Sequence, residues 1–412
     1  MQSLIERYNT LKKEYKNIYQ RNIFSELESS HRIVGIVGSR GVGKTTYLLN
    51  YLNLKYKNSS RALYVSADDV YFSNNTLIEL ARQFVNEYDG EILCIDEIHR
   101  YPNWAQELKN IYDKYSSLKI IFSGSSAVDL IKQKYDLSRR AVLKILPGFS
   151  FREYLEFTTG KKLPILTLKQ LVNKRISPAE EITDTKKLLG LFKDYQRVGY
   201  YPIFKNFSNK EDFYEALNGV IDKVINIDIS SYYSLKTETL PVFKKILYFV
   251  FTSKPGSINV NKLSGSLGKS FPDTSRYIEM TRESGLVRYL LNDKSGHALI
   301  RNAEKVYLDN TNLAHALSYR IGKPVESGSS REIFVINQLE SAGYKVCYSS
   351  QGDISVGALK KIFGKNEYVF EIGGASKDFS QIKGAKNDYI VADDILFGDA
   401  RKIPLYLFGF LY

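Results

Sequence analysis

The chain contains 412 residues and carries a formal net charge of +13, because 58 Lys and Arg residues outnumber 45 Asp and Glu residues. At about 100–200 residues per domain, this length predicts two to four domains. Hydrophobic residues account for 43% of the chain and charged residues for 25%. These proportions are typical of globular proteins and argue against a fibrous or largely disordered chain.

Export and membrane insertion are not expected from the sequence. The first residues lack the basic patch and following apolar segment of a secretory signal. No stretch approaches the roughly 18 consecutive apolar residues of a membrane span, so we expect no membrane partner. With only Cys94 and Cys347 present, no disulfide framework is expected. We therefore predict a cytoplasmic protein.

The strongest chemical pattern lies early in the chain. Residues 33–37, Ile-Val-Gly-Ile-Val, predict a buried strand. The following segment matches the pattern G-x-x-x-x-G-K-S/T, and residues 47–54 suit a helix. In this context backbone N–H groups close around phosphate oxygens, and the helix N-terminus adds positive potential. The residues predicted to bind the nucleotide are Gly38, Ser39, Arg40, Gly41, Val42, Gly43, Lys44, Thr45 and Thr46.

Specific roles can be predicted for residues of this loop and of a second apolar segment. Lys44 is predicted to reach the β- and γ-phosphates, and the Thr45 hydroxyl is predicted to ligate Mg²⁺. Residues 91–97, Glu-Ile-Leu-Cys-Ile-Asp-Glu, form an apolar strand that ends in two acids. Asp96 is predicted to organise the metal, and Glu97 to polarise the attacking water. The alternative is that the two acids only mark a solvated strand end, and the presence of the phosphate-loop motif argues against it.

Strand and helix patterns alternate in the same part of the chain. Apolar strand candidates occur at residues 33–37, 61–65, 91–95, 118–122 and 141–145. Amphipathic helical patterns begin at Leu77 and Trp104. This alternation predicts an α/β fold, a P-loop NTPase core with a parallel five-stranded sheet. One strand candidate, residues 61–65, separates the two motif strands along the chain, which resembles the AAA-type branch.

Two further patterns supply candidate catalytic groups. Ser125 or Ser123 would sense the γ-phosphate or the attacking water, unless the segment is a simple turn of small residues. Arg139 and Arg140 are candidate arginine fingers, acting in cis or in a neighbouring subunit's site. A surface salt bridge is the alternative for either arginine. The candidate catalytic residues are Lys44, Glu97, Ser125, Arg139 and Arg140.

Three segments carry a resemblance to a known family. They are residues 124–127 (Gly-Ser-Ser-Ala), 137–140 (Leu-Ser-Arg-Arg) and 146–154 (Leu-Pro-Gly-Phe-Ser-Phe-Arg-Glu-Tyr). They are similar to the prokaryotic AAA-type ATPases related to archaeal ATPases. The similarity continues through residues 199–202 and 305–309 into a nuclease-like tail. It implies ATP as the nucleotide and a C-terminal domain of unknown function after the ATPase core.

The sequence patterns along the chain predict four domains. We predict an ATPase domain, a helical lid or linker, a winged-helix-like domain and a nuclease-like domain at residues 1–155, 156–235, 236–325 and 326–412. The winged-helix pattern consists of helices and paired strands at residues 242–251, 260–267, 273–284, 287–291 and 297–300. Winged helices often read DNA through the third helix. Here that helix is net acidic, which favours a structural role.

The tail resembles the restriction-endonuclease-like fold in its order of helix, strands and acids. Its acidic positions are Glu332, Asp353 and Glu371. A working site there needs Asp and Glu for Mg²⁺ and a lysine two residues after the Glu. Gly373 occupies that position, so Lys377 or Lys383 would have to substitute. We therefore favour a nuclease-like domain without activity.

These patterns lead to one main hypothesis and two alternatives. The main hypothesis is Mg²⁺-dependent ATP binding and hydrolysis that drives a conformational switch of the C-terminal domains. The first alternative is an ATP-regulated protein that binds or cleaves DNA through its tail, consistent with the +13 charge. The second is a switch that recognises a protein partner. An arginine finger acting in trans would also require a homo-oligomer.

Overall fold

The computed structural model divides into two compact units, Met1–Gly148 and Phe149–Tyr412. The residues that it describes are 1–15, 19–21, 27, 30–57, 59–124, 137, 139–173, 185–253, 260–291, 305–358, 368–379, 387–399 and 401–412. The finer domain boundaries expected from the sequence remain predictions.

The first unit contains the strands and helices that the alternating patterns predicted. Its strands are β1 (Ile33–Val37), β2 (Ala62–Ser66), β3 (Ile92–Asp96), β4 (Lys119–Gly124) and β5 (Ala141–Ile145). Its helices are α1 (Gln2–Glu14), α2 (Lys44–Lys55), α3 (Leu77–Tyr88) and α4 (Trp104–Lys114). Strands β1 and β3 are buried along their whole length, as expected for parallel strands covered on both faces.

The sheet topology places the motif-bearing strands close together. Among the described residues of this unit, five parallel strands lie in the order β2-β3-β4-β1-β5. The predicted α/β core with a parallel five-stranded sheet is therefore confirmed. Strand β4 lies between β1 and β3 in the sheet, whereas β2, which separates them along the chain, lies at the edge. Because all five strands share one direction, the carboxyl ends of β1, β3 and β4 lie at the same edge of the sheet.

Local sequence explains where α3 begins and which face it buries. Thr76 accepts a hydrogen bond from the backbone N–H of Glu79, and the Glu79 carboxylate accepts one from the backbone N–H of Thr76. This reciprocal pair is a capping box. Leu77, Leu80 and Phe84 are buried. Their spacing of three and four residues places them on one face, as predicted.

The second unit begins with a largely helical region. Its helices are α5 (Phe151–Thr159), α6 (Leu168–Asn173), α7 (Thr185–Asp194), α8 (Lys210–Lys223), α9 (Ser230–Tyr233), α10 (Leu240–Thr252), α11 (Val260–Leu267), α12 (Phe271–Glu283), α13 (Thr311–Ile321) and α14 (Ser327–Ser341). Within the described ranges, none of the helices combines the length and the apolar character that a membrane crossing requires.

A short hairpin follows the three helices of the winged-helix pattern. Strand β6 (Val287–Leu290) pairs antiparallel with β7 (Lys305–Leu308). The sequence predicted residues 297–300 as the partner strand, and those residues lie outside the described part of the chain. The hairpin partner in the structure is thus β7, a segment that the sequence analysis had noted only for its family resemblance.

A second sheet closes the chain. Its strands are β8 (Tyr344–Tyr348), β9 (Ile354–Ala358), β10 (Tyr368–Gly373), β11 (Asp388–Ala392) and β12 (Lys402–Pro404). In the described residues they lie in the order β12-β11-β10-β9-β8. Strand β9 pairs antiparallel with both β8 and β10, whereas β11 pairs parallel with both β10 and β12. The sheet is therefore mixed, and it contains the helix-and-strand order predicted for the tail.

Candidate functional site

The phosphate loop connects β1 to α2, and its backbone depends on glycine. Gly41 and Gly43 have φ values of 87° and 89°, in the left-handed region that residues with a Cβ atom rarely adopt. Gly38 faces a different constraint, because a Cβ atom there would lie 2.4 Å from the carbonyl oxygen of Leu146. Helix α2 then begins at Lys44. The glycines of the motif thus serve the tight turn and the close approach of backbone that a phosphate-binding loop requires.

The Lys44 side chain lies across this loop. Its Nζ atom is 2.8 Å from the carbonyl oxygen of Gly38 and 3.1 Å from that of Ser39. The residue is 6% exposed, so its ammonium group is largely removed from water. A buried ammonium requires partners with negative charge or partial charge. The loop carbonyls supply these partners where the motif places the phosphates.

Asp96, at the end of β3, is the most heavily hydrogen-bonded acid of the first unit's site. The Thr45 hydroxyl donates to its Oδ2 atom at 2.5 Å, and the Tyr64 hydroxyl donates to the same oxygen at 2.8 Å. The Ser123 hydroxyl and the backbone N–H of Glu97, which lies at 3.0 Å, donate to Oδ1. The carboxylate is 2% exposed. Four donors therefore hold a buried negative charge in a fixed orientation beside the phosphate loop.

Glu97 follows directly and has an unusual backbone. Its φ of 50° lies in the left-handed region, which costs a residue with a side chain about 1–2 kcal/mol. Burial raises the pKa of Glu97, Lys44 opposes this rise, and the charge of Asp96 adds to it. The Nε2 atom of His99 is 3.4 Å from a Glu97 carboxylate oxygen. A strained acid with a raised pKa is the type of group that acts as a general base.

The two serine candidates differ in what the structure shows. Ser123 is fully buried at the end of β4 and donates its hydroxyl hydrogen bond to Asp96. Its contact is thus with the metal-organising acid predicted from the sequence. Ser125 lies outside the described residues.

The arginine candidates lie at the opposite edge of the sheet from the phosphate loop. Strands β1 and β5 are parallel and pair from Ile33 with Ala141 to Val37 with Ile145. The loop follows the carboxyl end of β1, whereas both arginines precede the amino end of β5. Five residues of strand separate these edges by about 13 Å. The cis alternative is not supported by this placement, and the trans alternative remains a prediction.

The two arginines also differ from each other. Arg140 forms a bidentate pair with Asp113 of α4, at 3.0 and 3.1 Å. Its guanidinium also lies over the Tyr112 ring, 5.7 Å from the centroid. Arg139 is exposed. The surface salt bridge considered for these positions is thus present at Arg140.

The acids predicted in the tail lie within the second unit, where they contact lysines. Lys305 Nζ on β7 is 3.6 Å from Glu332 and 3.7 Å from Asp353. The Tyr307 hydroxyl donates to Glu332, and the backbone N–H of Ile372 donates to Asp353 at 2.8 Å. Burial raises the pKa of Glu332, the charge of Asp353 adds to this, and Lys305 opposes it. A lysine thus shares its charge between two acids.

The third acid of the tail has its own lysine. Lys377 Nζ is 2.6 Å from Glu371 Oε1. A Cβ atom at Gly373 would lie 2.8 Å from Lys377 side-chain atoms, so the lysine stem covers the glycine. Lys383, the other substitute considered, lies outside the described residues. In the part of the chain that the structure describes, no group of three or more His, Cys, Asp or Glu side chains is arranged to hold a metal ion.

Sequence reasoning missed Tyr64, Lys305 and Tyr307. Each was visible only as a strand residue or as part of a family motif. Tyr64 lies on β2, two residues before the position that pairs with Asp96. A strand register would have identified it, because diagonal neighbours on one face of a sheet are within reach of an aromatic side chain. The register of β2 against β3 is not encoded in the local sequence.

Comparisons with known proteins find a family match that lies largely within the first unit. Residues 30–155 match a family model described as an AAA domain. An uncharacterised protein of Methanocaldococcus jannaschii is 25% identical over 422 aligned positions, which cover 97% of this chain and 88% of that protein. Residues 30–155 are therefore similar to AAA domains, and the similarity to this relative extends beyond that segment.

Solved structures with detectable similarity are more distant. The replication initiator DnaA bound to AMPPCP and single-stranded DNA has a TM-score of 0.27 and 15% identity, with 66% of this chain and 90% of that chain covered. AMPPCP-bound DnaA from Aquifex aeolicus has a TM-score of 0.26 and 16% identity, with 63% of this chain and 85% of that chain covered. PCH-2 from C. elegans has a TM-score of 0.23 and 13% identity, with 68% of this chain and 67% of that chain covered. Similarity at this level supports no conclusion about function.

Proposed function

We propose that this chain binds ATP on its phosphate loop and hydrolyses it with Mg²⁺. One observation carries the proposal: the Thr45 hydroxyl and the Asp96 carboxylate are 2.5 Å apart at the edge where the loop lies. Hydroxyl and carboxylate oxygens are the ligands that Mg²⁺ prefers beside nucleotide phosphates. The donor set therefore fits the ion, which Thr45 would hold directly and Asp96 through water. When bound, Mg²⁺ neutralises charge on the β- and γ-phosphates.

The other residues of the site have matching tasks. Lys44 exchanges the loop carbonyls for β- and γ-phosphate oxygens, so its charge stays paired throughout. Glu97 accepts the proton of the attacking water, as its raised pKa and position beside Asp96 favour. Ser123 keeps the Asp96 carboxylate oriented. These roles rest on the geometry of the first unit alone.

Substitution of Lys44 tests the proposal. We expect Lys44→Ala to lower ATP affinity by about 100-fold, because the phosphates lose a charged partner in a largely buried site. Isothermal titration calorimetry with ATP measures this directly. Lys55→Ala is the matched control, since Lys55 is an exposed residue at the other end of the same helix. ATP binding by Lys44→Ala as tight as by the unaltered chain would contradict the proposal.

We further propose that the nucleotide state changes the conformation of the second unit. The support is the AAA domain followed by more than 250 residues of separately folded chain. Hydrogen exchange of residues 149–412, with ADP and with a non-hydrolysable ATP analogue, measures such a switch. Altered protection of backbone amides in these residues is expected, and identical protection in both states would contradict it.

DNA processing by the tail is the second candidate function. Lys377 supports it, because this lysine covers the glycine at the position where a catalytic lysine is expected and contacts Glu371 at 2.6 Å. The described carboxylates do not fit a metal site, however, since Lys305 compensates Glu332 and Asp353. A gel assay of DNA cleavage with Mg²⁺ or Mn²⁺ decides whether the tail is an active nuclease. DNA cleavage that Glu371→Gln abolishes would establish this function, and intact DNA would exclude it.

A further inference from the structure

We propose that Tyr64 is a positioning residue of the ATP site, whose hydroxyl orients the Asp96 carboxylate toward Thr45. The inference rests on the ATPase function proposed above. Tyr64 lies on β2, a strand that carries neither of the two sequence motifs. Its hydroxyl donates to Asp96 Oδ2 at 2.8 Å, and the same oxygen accepts the Thr45 hydroxyl at 2.5 Å. One carboxylate oxygen thus joins the phosphate-loop hydroxyl to a third element of the sheet.

The sheet register explains how Tyr64 reaches this position. Strands β2 and β3 are parallel, with Tyr64 beside Cys94 and Ser66 beside Asp96. Tyr64 is therefore the diagonal neighbour of Asp96 on the same face, a separation that a tyrosine side chain spans. The side chain is 5% exposed, so water does not compete for the hydrogen bond. A shorter polar residue at this position would not reach the carboxylate.

The chemistry of the pair defines the role of the hydroxyl. The Tyr64 hydroxyl donates to Asp96 Oδ2 at 2.8 Å and also lies within hydrogen-bond reach of Thr45. With Ser123 and the Glu97 backbone on Oδ1, the four lone-pair directions of the carboxylate each have a donor. Without the Tyr64 hydroxyl, Asp96 Oδ2 has neither of its two donors when Thr45 turns toward the metal, and only the two donors on Oδ1 orient the carboxylate.

The effect on Mg²⁺ dependence distinguishes positioning from a general contribution to folding. Partners that orient a metal-binding group typically change metal affinity by about 10–100-fold when removed. A tyrosine that only fills the core would instead change stability without changing the metal requirement. Nucleotide binding without metal depends on the backbone N–H groups of the phosphate loop and on Lys44, whereas the Tyr64 hydroxyl contacts Asp96 and Thr45, the two residues on the metal side of the site.

The test is Tyr64→Phe in the full-length chain, which keeps the ring and removes one oxygen. We expect the Mg²⁺ concentration for half-maximal ATP hydrolysis to rise about 10-fold or more. ATP affinity in EDTA, measured with a fluorescent ATP analogue, should stay unchanged. Tyr8→Phe is the matched control, because Tyr8 is 3% exposed and its hydroxyl has no hydrogen-bond partner among the described residues.

Two results would overturn the inference. The first is an unchanged Mg²⁺ requirement in Tyr64→Phe, and the second is an equal loss of ATP affinity with Mg²⁺ and with EDTA. Failure of the ATPase proposal looks different, because the unaltered chain and the Tyr8→Phe control would then lack Mg²⁺-dependent hydrolysis as well. The comparison of the three proteins therefore separates the two ideas.

Discussion

Asp96 and Glu97 are adjacent acids that differ in their environments. Asp96 is buried and surrounded by hydrogen-bond donors, whereas burial raises the pKa of Glu97. Two carboxylates in such different environments are suited to different chemical roles. Asp96 is suited to a fixed negative charge that organises a metal. Glu97 is suited to taking up a proton.

Glu97→Gln separates these tasks. We expect hydrolysis to fall by about 10²–10⁴-fold, the usual contribution of a general base, while ATP affinity is retained. Single-turnover hydrolysis and calorimetric ATP binding measure the two quantities. Glu91→Gln is the control, because Glu91 lies just before β3, at the other end of the strand, and forms an exposed pair with Arg61. Loss of ATP binding in Glu97→Gln would contradict the assignment.

The raised pKa of Glu97 also predicts a pH dependence. The base must be ionised to accept a proton, so activity is lost as the pH falls through the pKa of this residue. Because that pKa is raised, the acid limb of the rate profile should lie above the value of about 4.3 that is typical of an exposed glutamate. Steady-state hydrolysis measured from pH 4 to pH 8 checks this. An acid limb at the ordinary glutamate value would contradict it.

Strand β7 shows how one element connects others within the second unit. Its Lys305 lies between Glu332 on α14 and Asp353 just before β9, and its Tyr307 donates to Glu332. Arg288 of the paired strand β6 binds Glu340 of α14. Side chains of the hairpin therefore compensate acids that would otherwise repel one another. We therefore expect the hairpin to contribute to the stability of the second unit.

Lys305→Met tests this contribution. Removing the ammonium leaves two largely buried acids uncompensated, so we expect the free energy of unfolding of the second unit to fall by about 1–3 kcal/mol at neutral pH. The deficit should shrink as the pH falls through the pKa of Glu332, which burial raises, because the protonated acid no longer needs a cation. Urea denaturation at two pH values measures both effects. Lys345→Met, at an exposed position on β8, is the control, and equal stability of both variants would contradict the interpretation.

At the scale of the whole molecule, the predicted role of Arg139 as an arginine finger would require a second copy of the chain. The residue is exposed at the sheet edge opposite to the phosphate loop of its own chain. We predict that it enters the ATP site of a neighbouring subunit, where an arginine finger is worth about 10³–10⁵-fold in rate. Light scattering with bound ATP should then show an oligomer. The Arg139→Ala variant should hydrolyse ATP more slowly than the unaltered chain and should retain its ATP affinity.

Mixing two inactive variants gives the decisive result. Lys44→Ala lacks a working site but keeps its arginine, and Arg139→Ala has the reverse defect. We expect the mixture to recover part of the activity, because a mixed oligomer contains intact sites. A mixture of Lys44→Ala with Glu97→Gln is the control, since both defects lie in the same site and cannot complement each other. Failure of the first mixture to recover activity would exclude action in trans.

The elements of the first unit could be predicted well from the sequence. Apolar runs, glycine spacing and terminal acids are local features, and local features determine where a strand ends and where a phosphate loop begins. The strands of the sheet and the acids Asp96 and Glu97 were found in this way. The tail acids Glu332, Asp353 and Glu371 were also identified, as was Lys377 as a candidate lysine beside Glu371, whereas Lys305 was not.

What the local pattern could not supply is the order and register of strands. Insertion of β4 between β1 and β3 places Ser123 against Asp96, and the register of β2 places Tyr64 there. The parallel register also moves Arg139 away from its own phosphate loop. These outcomes depend on contacts between residues far apart in the chain, whose formation is a property of the folded sheet as a whole. The residue types of the site were therefore evident in the sequence, while their donors and partners arose from tertiary packing.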